Sequence, residues 1–150
     1  MSSGLIYPPV GFHFAVVFEL FPQLPNDFRF QEVSGLSATI QTEEVIEGGE
    51  NRFTHQLPTR TNYETLELKR GMFMGSLIIQ WVREAVENLN IYPTNVIISL
   101  LNETHIPIAA WYVVNAYPLK WSISNFNAQE SSVVVETIQF EYNYFKSIRI

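Results

Sequence analysis

The chain alternates apolar and polar residues along most of its length, and this period of two is the feature that most constrains its fold. Phe, Val and Leu occupy every second position in residues 12–20, which gives an extended segment one apolar face. Similar segments follow at 28–33, 36–47, 63–70, 95–102, 108–117, 119–126 and 132–145. Because successive side chains of a strand point to opposite faces, the pattern predicts a mainly β protein. We expect residues 53–62 to be irregular and Pro118 to separate two strands.

One segment has the spacing of an amphipathic helix instead. Residues 76–89 begin with Ser76, a favourable N-cap, and continue with apolar residues at intervals of three and four. We predict that the helix packs against a sheet through Leu77, Ile78, Trp81, Val82 and Ala85. The predicted fold class is therefore mainly β with one α-helix, a closed or sandwich-like barrel in a single domain spanning residues 1–150.

The segment 36–47 combines a predicted core face with a polar face. The apolar residues expected to face the core are Leu36, Ala38, Ile40 and Ile46. The opposite face is small or polar: Ser37, Thr39, Gln41 and Glu43. A loop with two adjacent glycines follows, formed by Glu47, Gly48, Gly49, Glu50, Asn51 and Arg52. Adjacent glycines resist strand pairing, so this loop is expected to be flexible.

The sequence offers little for catalysis or for binding a cofactor or metal. The chain has no cysteine, which excludes thiolate chemistry and disulfides. His13, His55 and His105 are far apart and have no local partner, and no Gly-x-Ser-x-Gly motif occurs. We therefore expect no enzyme activity, no cofactor and no metal. A hydrolase site assembled only in space, and a monomeric barrel that binds a small ligand, stay open as alternatives.

Charge and hydropathy limit the classes of partner. Nine basic against fifteen acidic residues give a net charge of −6, which argues against specific nucleic-acid recognition. Only 16% of residues are charged, compared with about 25% in typical globular domains, whereas 14% are aromatic. Much of the surface is therefore expected to contact other protein. No segment has the length of a membrane span or the pattern of a secretory signal, so we expect no membrane insertion and an origin in a reducing cytoplasm.

A series of short motifs, in order along nearly the whole chain, resembles the inner-tube proteins of contractile phage tails and phage-tail-like injection systems. The motifs lie at residues 30–36, 43–52, 57–58, 66–71, 100–103, 111–121, 126–128 and 136–142. One departure is visible, since Thr59 follows Leu57 and Pro58 where the family pattern suggests glycine.

The resemblance implies an architecture in which six copies form a ring and rings stack into a hollow tube inside a sheath. Each subunit would contribute strands to a β-barrel shared around the ring, with Ser37, Thr39, Gln41 and Glu43 lining the channel. The loop from Glu47 to Arg52 would lie at the contact between rings. The helix would lie on the outer side, toward the sheath or a neighbouring subunit.

The implied partners are further copies of the chain, the sheath protein, the baseplate and tube-cap proteins, with protein or DNA cargo in the lumen. Assembly would begin in the bacterial cytoplasm and end in an injection particle or a virion tail. A close alternative is a subunit of the same fold that initiates the tube at the baseplate.

Overall fold

A computed structural model describes residues 13–22, 27–46, 55–72, 75–124 and 134–149 of the chain. These residues form ten β-strands and one α-helix. In chain order, the elements are β1 (His13–Phe18), β2 (Arg29–Phe30), β3 (Glu32–Ser34), β4 (Ala38–Val45), β5 (His55–Tyr63), β6 (Leu66–Gly71), α1 (Leu77–Asn88), β7 (Thr94–Leu101), β8 (Pro107–Ile123), β9 (Val135–Glu141) and β10 (Tyr144–Arg149). The prediction of a mainly β protein with one helix is confirmed.

The longest strand, β8, connects the two halves of the larger sheet. Its first half pairs with β7 on one edge, and this pairing extends from Pro107 to Ala116. On its other edge, the first half of β8 pairs with β10 and the second half pairs with β9, and both pairings are antiparallel. The strand order is β2-β1-β7-β8-β9-β6-β3, with β10 beside β8, and the described strands form an open sheet.

Pro118 does not separate two strands, contrary to the prediction. Strand β8 runs through it, and the register with β9 shifts between Pro118 and Lys120. The pairing with β7 has already ended at Ala116, so no β7 residue opposes Pro118. A proline without an N–H group is tolerated at such an irregular, half-open position. The predicted strand 132–145 is also corrected, because it divides into β9 and β10 at residues 142–143.

The helix packs on the core through its apolar face. Ile78, Trp81, Val82 and Ala85 are buried, and Leu77 is half-buried. The centroid of the Trp81 indole ring lies 5.2 Å from the centroid of the Phe18 phenyl ring and 5.6 Å from that of the Phe140 phenyl ring. Leu89 ends the helix in the left-handed conformation and is 79% exposed. Within the described ranges, no helix has both the length and the apolar character needed to cross a bilayer.

A buried polar cluster fixes the start of the helix to the sheet. Asp27, the only aspartate of the chain, accepts hydrogen bonds from Arg70 Nη2 at 2.8 Å and from Ser76 Oγ at 2.6 Å. Its second carboxylate oxygen accepts from the backbone N–H groups of Leu77 and Ile78. The carboxylate thus satisfies helix N–H groups that have no partner within the helix. Ser76 Oγ accepts from the N–H of Ile79, as expected of an N-cap.

The same cluster holds a charged side chain inside the protein. The Arg70 guanidinium is almost entirely buried and lies 4.5 Å from the centroid of the Phe30 ring. Burial lowers the pKa of Arg70, and the hydrogen bond and charge of Asp27, followed by the charge of Glu136, oppose that shift. The guanidinium therefore remains charged and is neutralised locally.

Replacing Asp27 by Asn tests how strongly the fold depends on this cluster. The substitution keeps the shape but leaves the buried Arg70 cation without its countercharge, so we expect the free energy of unfolding to fall by about 3–5 kcal/mol. Urea-induced unfolding followed by circular dichroism measures this change. The matched control is Glu87→Gln, which breaks the exposed Arg83–Glu87 pair and should cost less than about 0.5 kcal/mol. Equal effects of the two substitutions would contradict the assignment.

Candidate functional site

The most distinctive surface is a hairpin formed by β4 and β5, which among the described strands pair only with each other. Nearly all of its residues are exposed. The predicted core face of segment 36–47 is therefore wrong: Leu36 packs against the core, but Ile40 is 63% exposed and Ile46 is 74% exposed. The physical reason is that the hairpin extends away from the core, so no other part of the described chain covers either of its faces.

Residues 55–63 form a regular strand rather than the predicted irregular segment. The register with β4 shifts between Gln41 and Thr42, which places a bulge at Thr59. The Thr59 hydroxyl donates a hydrogen bond to the carbonyl oxygen of Gln41 at 3.1 Å. Thr59 is not among the described residues with positive φ, so the backbone here does not require the glycine suggested by the family pattern. The bulge instead uses a side chain that glycine lacks.

The register assigns each hairpin residue to one of two faces. Directly opposed residues of paired strands point to the same side, and β4 pairs Thr39 with Asn62, Gln41 with Arg60 and Glu43 with Leu57. Three of the four predicted lining residues therefore share one face, and Ser37 continues the same alternation just before β4. We call this surface the polar face: Ser37, Thr39, Gln41 and Glu43 from the first strand, with Arg60 and Asn62 from the second; the exposed Leu57, opposite Glu43, is its one large apolar residue.

Arg60 is the residue of this face that sequence reasoning missed. Its Nε donates to Gln41 Oε1 at 2.9 Å, so the guanidinium is held beside the predicted lining residues. An exposed Arg next to Glu43 means that the face carries both signs of charge rather than a uniformly acidic surface. No local pattern in residues 60–63 indicates this position, because it follows from the cross-strand register of β5 with β4.

The base of the hairpin is held by one tyrosine. The Tyr142 hydroxyl donates to the carbonyl oxygen of Glu64 at 2.6 Å and also contacts that of Gly35 at 3.5 Å. These two carbonyls belong to the chain segments that enter and leave the hairpin. The Tyr142 ring packs near Tyr63 and Phe145, with centroids 6.0 Å and 6.2 Å away. Burial raises the pKa of Tyr142 to about 12.

Gly35 is required where the chain enters the hairpin. Its φ is +90°, and a Cβ atom at this position would lie 2.0 Å from the carbonyl oxygen of Thr65. The turn continues with a hydrogen bond from the N–H of Ser37 to the carbonyl of Gly35, and the N–H of Glu64 donates to the carbonyl of Ser37. The entering and leaving segments therefore touch directly, and only a residue without a side chain fits between them.

Two other sites were predicted from the sequence, a loop and a helix face. The loop from Glu47 to Arg52 lies outside the described residues. Of the predicted helix residues, Ile78, Trp81, Val82 and Ala85 are buried in the core, whereas Leu77 is only half-buried and Ile79 packs against the core. The exposed side of the helix carries Arg83, Glu84 and Glu87.

The described residues contain little that resembles a reaction centre. No group of three or more His, Asp or Glu side chains in the described ranges is arranged to hold a metal ion. A cavity of about 370 Å³ is lined by His13, Arg29, Phe30, Gln31, Arg70, Gly71 and Met72. Arg70 is already engaged with Asp27, and the lining contains no carboxylate that could act as a general base.

Comparisons with known proteins agree on one type of molecule. A family model described as T4-like virus tail tube protein gp19 matches residues 10–146. A chain in the cryo-EM structure of the anti-feeding prophage baseplate, 6-fold symmetrised, is 29% identical, with 92% of each chain covered and a TM-score of 0.78. No curated protein sequence matches the chain.

Two further solved structures share the fold at lower identity. A chain in the sheath-tube complex of the PVC extracellular contractile injection system, in its extended state, is 21% identical over 95% of this chain and 91% of that chain, with a TM-score of 0.73. Hcp1 from Salmonella typhimurium is 9% identical over 93% and 87% of the two chains, with a TM-score of 0.58. The fold therefore persists where the sequences have diverged almost completely.

Substitution of two glycines separates backbone strain from steric overlap at the hairpin base. Gly75 has a φ of +82° but open space around its Cβ position, so Gly75→Ala should cost only about 1–2 kcal/mol of backbone strain. Gly35→Ala adds the overlap with Thr65 and should cost about 1–3 kcal/mol more. Thermal and urea unfolding of both variants measures the difference. Indistinguishable stabilities would show that the contact at Gly35 is not as tight as described.

The raised pKa of Tyr142 predicts a specific loss of stability in alkali. A tyrosine has an ordinary pKa of 10.0, and the value of about 12 here means that the folded protein holds the proton more tightly than the unfolded chain. The resulting stability is complete below about pH 10 and is lost as the pH rises toward 12. Tyr142→Phe should lower stability at neutral pH by about 1 kcal/mol and remove this part of the alkaline loss. Tyr92→Phe, at an exposed side chain, is the control and should retain the loss.

Proposed function

Because the chain belongs to the family of T4-like virus tail tube proteins, we propose that six copies of it close into a ring and that these rings stack into a hollow tube. Its role is that of a tube subunit. The proposed ring uses the whole chain as one tail-tube domain, and the subunit acts through its geometry and carries out no reaction.

The isolated hairpin is the observation that supports assembly. A two-stranded hairpin is marginally stable on its own in water, and this one leaves Ile40 and Leu57 more than half exposed. The outer edges of β4 and β5, eight and nine residues long, have no partner among the described strands. Strand β10 likewise presents an outer edge of six residues. Pairing between such edges in neighbouring copies would satisfy these backbone groups.

Contacts of this kind are head-to-tail, because the hairpin and the β10 edge are different surfaces of one chain. Head-to-tail contacts generate a ring when the rotation closes. Strands contributed by every copy would then form one barrel around the ring, which has no open edges. This would give Ile40, on the face opposite the polar face, a covered environment that the single chain lacks.

We place the polar face on the channel wall. Ser37, Thr39, Gln41 and Glu43 would line it together with Arg60 and Asn62, which lie on the same side of the hairpin. Most of its side chains are uncharged, and each copy would contribute one acidic residue, Glu43, and one basic residue, Arg60. Such a wall attracts neither polyanions nor polycations strongly, which suits a conduit through which cargo must slide.

The remaining surfaces are assigned by elimination. The loop from Glu47 to Arg52, which lies between β4 and β5 in the sequence, is proposed to contact the next ring. The charged side of α1 is proposed to face the sheath. Baseplate and cap proteins would bind the two ends of the tube, in a particle assembled in the bacterial cytoplasm.

A second candidate function is a subunit that begins the tube at the baseplate. It is favoured by the identity with a chain of the anti-feeding prophage baseplate, 29%, which exceeds the 21% shared with a chain of the PVC sheath-tube complex. An initiating subunit would form single rings that do not extend alone. A main tube subunit would form long stacks from purified protein.

Imaging and site-specific labelling of the purified protein test the proposal together. Negative-stain electron microscopy should show six-membered rings or tubes, and deletion of Gly48 and Gly49 should leave rings that no longer stack. Because the chain has no native cysteine, Thr39→Cys gives a unique label site on the polar face. A maleimide attached to a globular carrier should react with it only after tubes are dissociated.

Glu87→Cys on the exposed side of α1 is the matched control and should react in intact tubes. A monodisperse monomer at high concentration would contradict the assembly. Equal reaction of Thr39→Cys and Glu87→Cys in intact tubes would contradict the channel position while leaving the assembly unaffected.

A further inference from the structure

Two histidines that are 92 positions apart in the sequence meet at one end of the larger sheet. The Nε2 atom of His13, at the start of β1, lies 3.0 Å from the Nδ1 atom of His105, in the turn between β7 and β8. The imidazole rings meet edge-on, with centroids 4.8 Å apart and an interplanar angle of 70°. The sequence around each histidine indicates no partner for it. The pairing of β1 with β7 brings the two residues together.

The turn around His105 is organised to hold its imidazole in place. His105 has a φ of +63°, and its N–H donates to the carbonyl of Asn102. The side-chain oxygen of Asn102 accepts three hydrogen bonds, from the N–H and hydroxyl of Thr104 and from the N–H of Ile106. Because these bonds fix the backbone on both sides of His105, its ring is positioned before any ligand arrives.

The separation of the two nitrogens matches neighbouring positions around one metal ion. With metal–nitrogen bonds of about 2.0–2.1 Å, two ligands at a right angle are about 2.9 Å apart, whereas two ligands at the tetrahedral angle are about 3.3–3.4 Å apart. The observed 3.0 Å is closer to the right-angled arrangement. That arrangement is preferred by Cu²⁺ and Ni²⁺, both of which bind imidazole well.

We propose that His13 and His105 form a two-histidine site for Cu²⁺ or Ni²⁺, in which the metal ion replaces the proton that lies between the two nitrogens. The proton between the two nitrogens is lost from its nitrogen and one is taken up from solvent by the other nitrogen of the same ring, so both imidazoles stay neutral, each donates one lone pair to the ion, and water completes the coordination. Arg29 and Arg70 line the cavity on one side of His13, so we expect the ion to approach from the side of the turn. The bound ion cross-links the start of β1 to the turn between β7 and β8.

Copper binding to tag-free protein tests the site. Isothermal titration with Cu²⁺ should show one saturable site, and pulsed electron paramagnetic resonance should detect two coordinated imidazoles. His13→Gln and His105→Gln should each abolish the two-imidazole signal, whereas His55→Gln, at the third histidine, should preserve it. A thermal scan should show that Cu²⁺ raises the unfolding temperature of the wild type and of His55→Gln only.

A second variant guards against loss of folding in the histidine substitutions. Asn102→Ala keeps both imidazoles but removes the bonds that order the turn, so it should weaken copper binding while retaining the two-imidazole signal at saturation. Coordination by a single imidazole in the wild type, or a signal unchanged in His105→Gln, would overturn the proposal.

Discussion

The carboxylate of Asp27 is the point on which the packing of this protein depends. One side chain neutralises the buried Arg70, accepts from the N-cap Ser76 and receives two N–H groups of the first helical turn. It thereby joins a turn, strand β6 and helix α1 in a single buried cluster. The cluster fixes where the helix starts, and one turn further along the helix the indole of Trp81 stacks on Phe140. A network of this kind is costly to break, since every remaining member would be buried without its partner.

The described chain consists of two parts: a body, formed by the larger sheet and α1, and an arm, which is the β4–β5 hairpin. In the body, β8 shares its edges with β7, β9 and β10, so most ladder groups are paired within the chain. In the arm, β4 and β5 find no other partner in the part of the chain that the structure describes, and nearly all of their residues are exposed. The low charge of the sequence thus belongs to a surface that other copies are proposed to cover. Membership of the tail tube family and the architecture of the arm give the same explanation for the composition.

The sequence predicted the body better than the arm, for physical reasons. Strands with one buried face, such as β1 and β9, show the alternation that burial imposes, and α1 shows its own period and its N-cap. Strand β5 has no buried face, so its polar residues and Pro58 concealed it. The polar residues of β4 were identified by alternation, but Arg60 enters the same face through a cross-strand register that no local pattern reveals. The pairing of His13 with His105 and the contacts of Tyr142 are equally non-local.

The tyrosine at the base of the hairpin has a consequence for any closed assembly. Tyr142 holds the entering and leaving segments against each other, and Gly35 allows them no space to slide, so the angle between arm and body is set inside each chain. In a ring, a deviation in the angle between arm and body changes the orientation of the next subunit. These deviations add around the ring, and a large sum prevents the last contact from forming. A rigid joint keeps every deviation small. In the proposed ring, the rigidity of this one joint would therefore help to decide whether the circle closes.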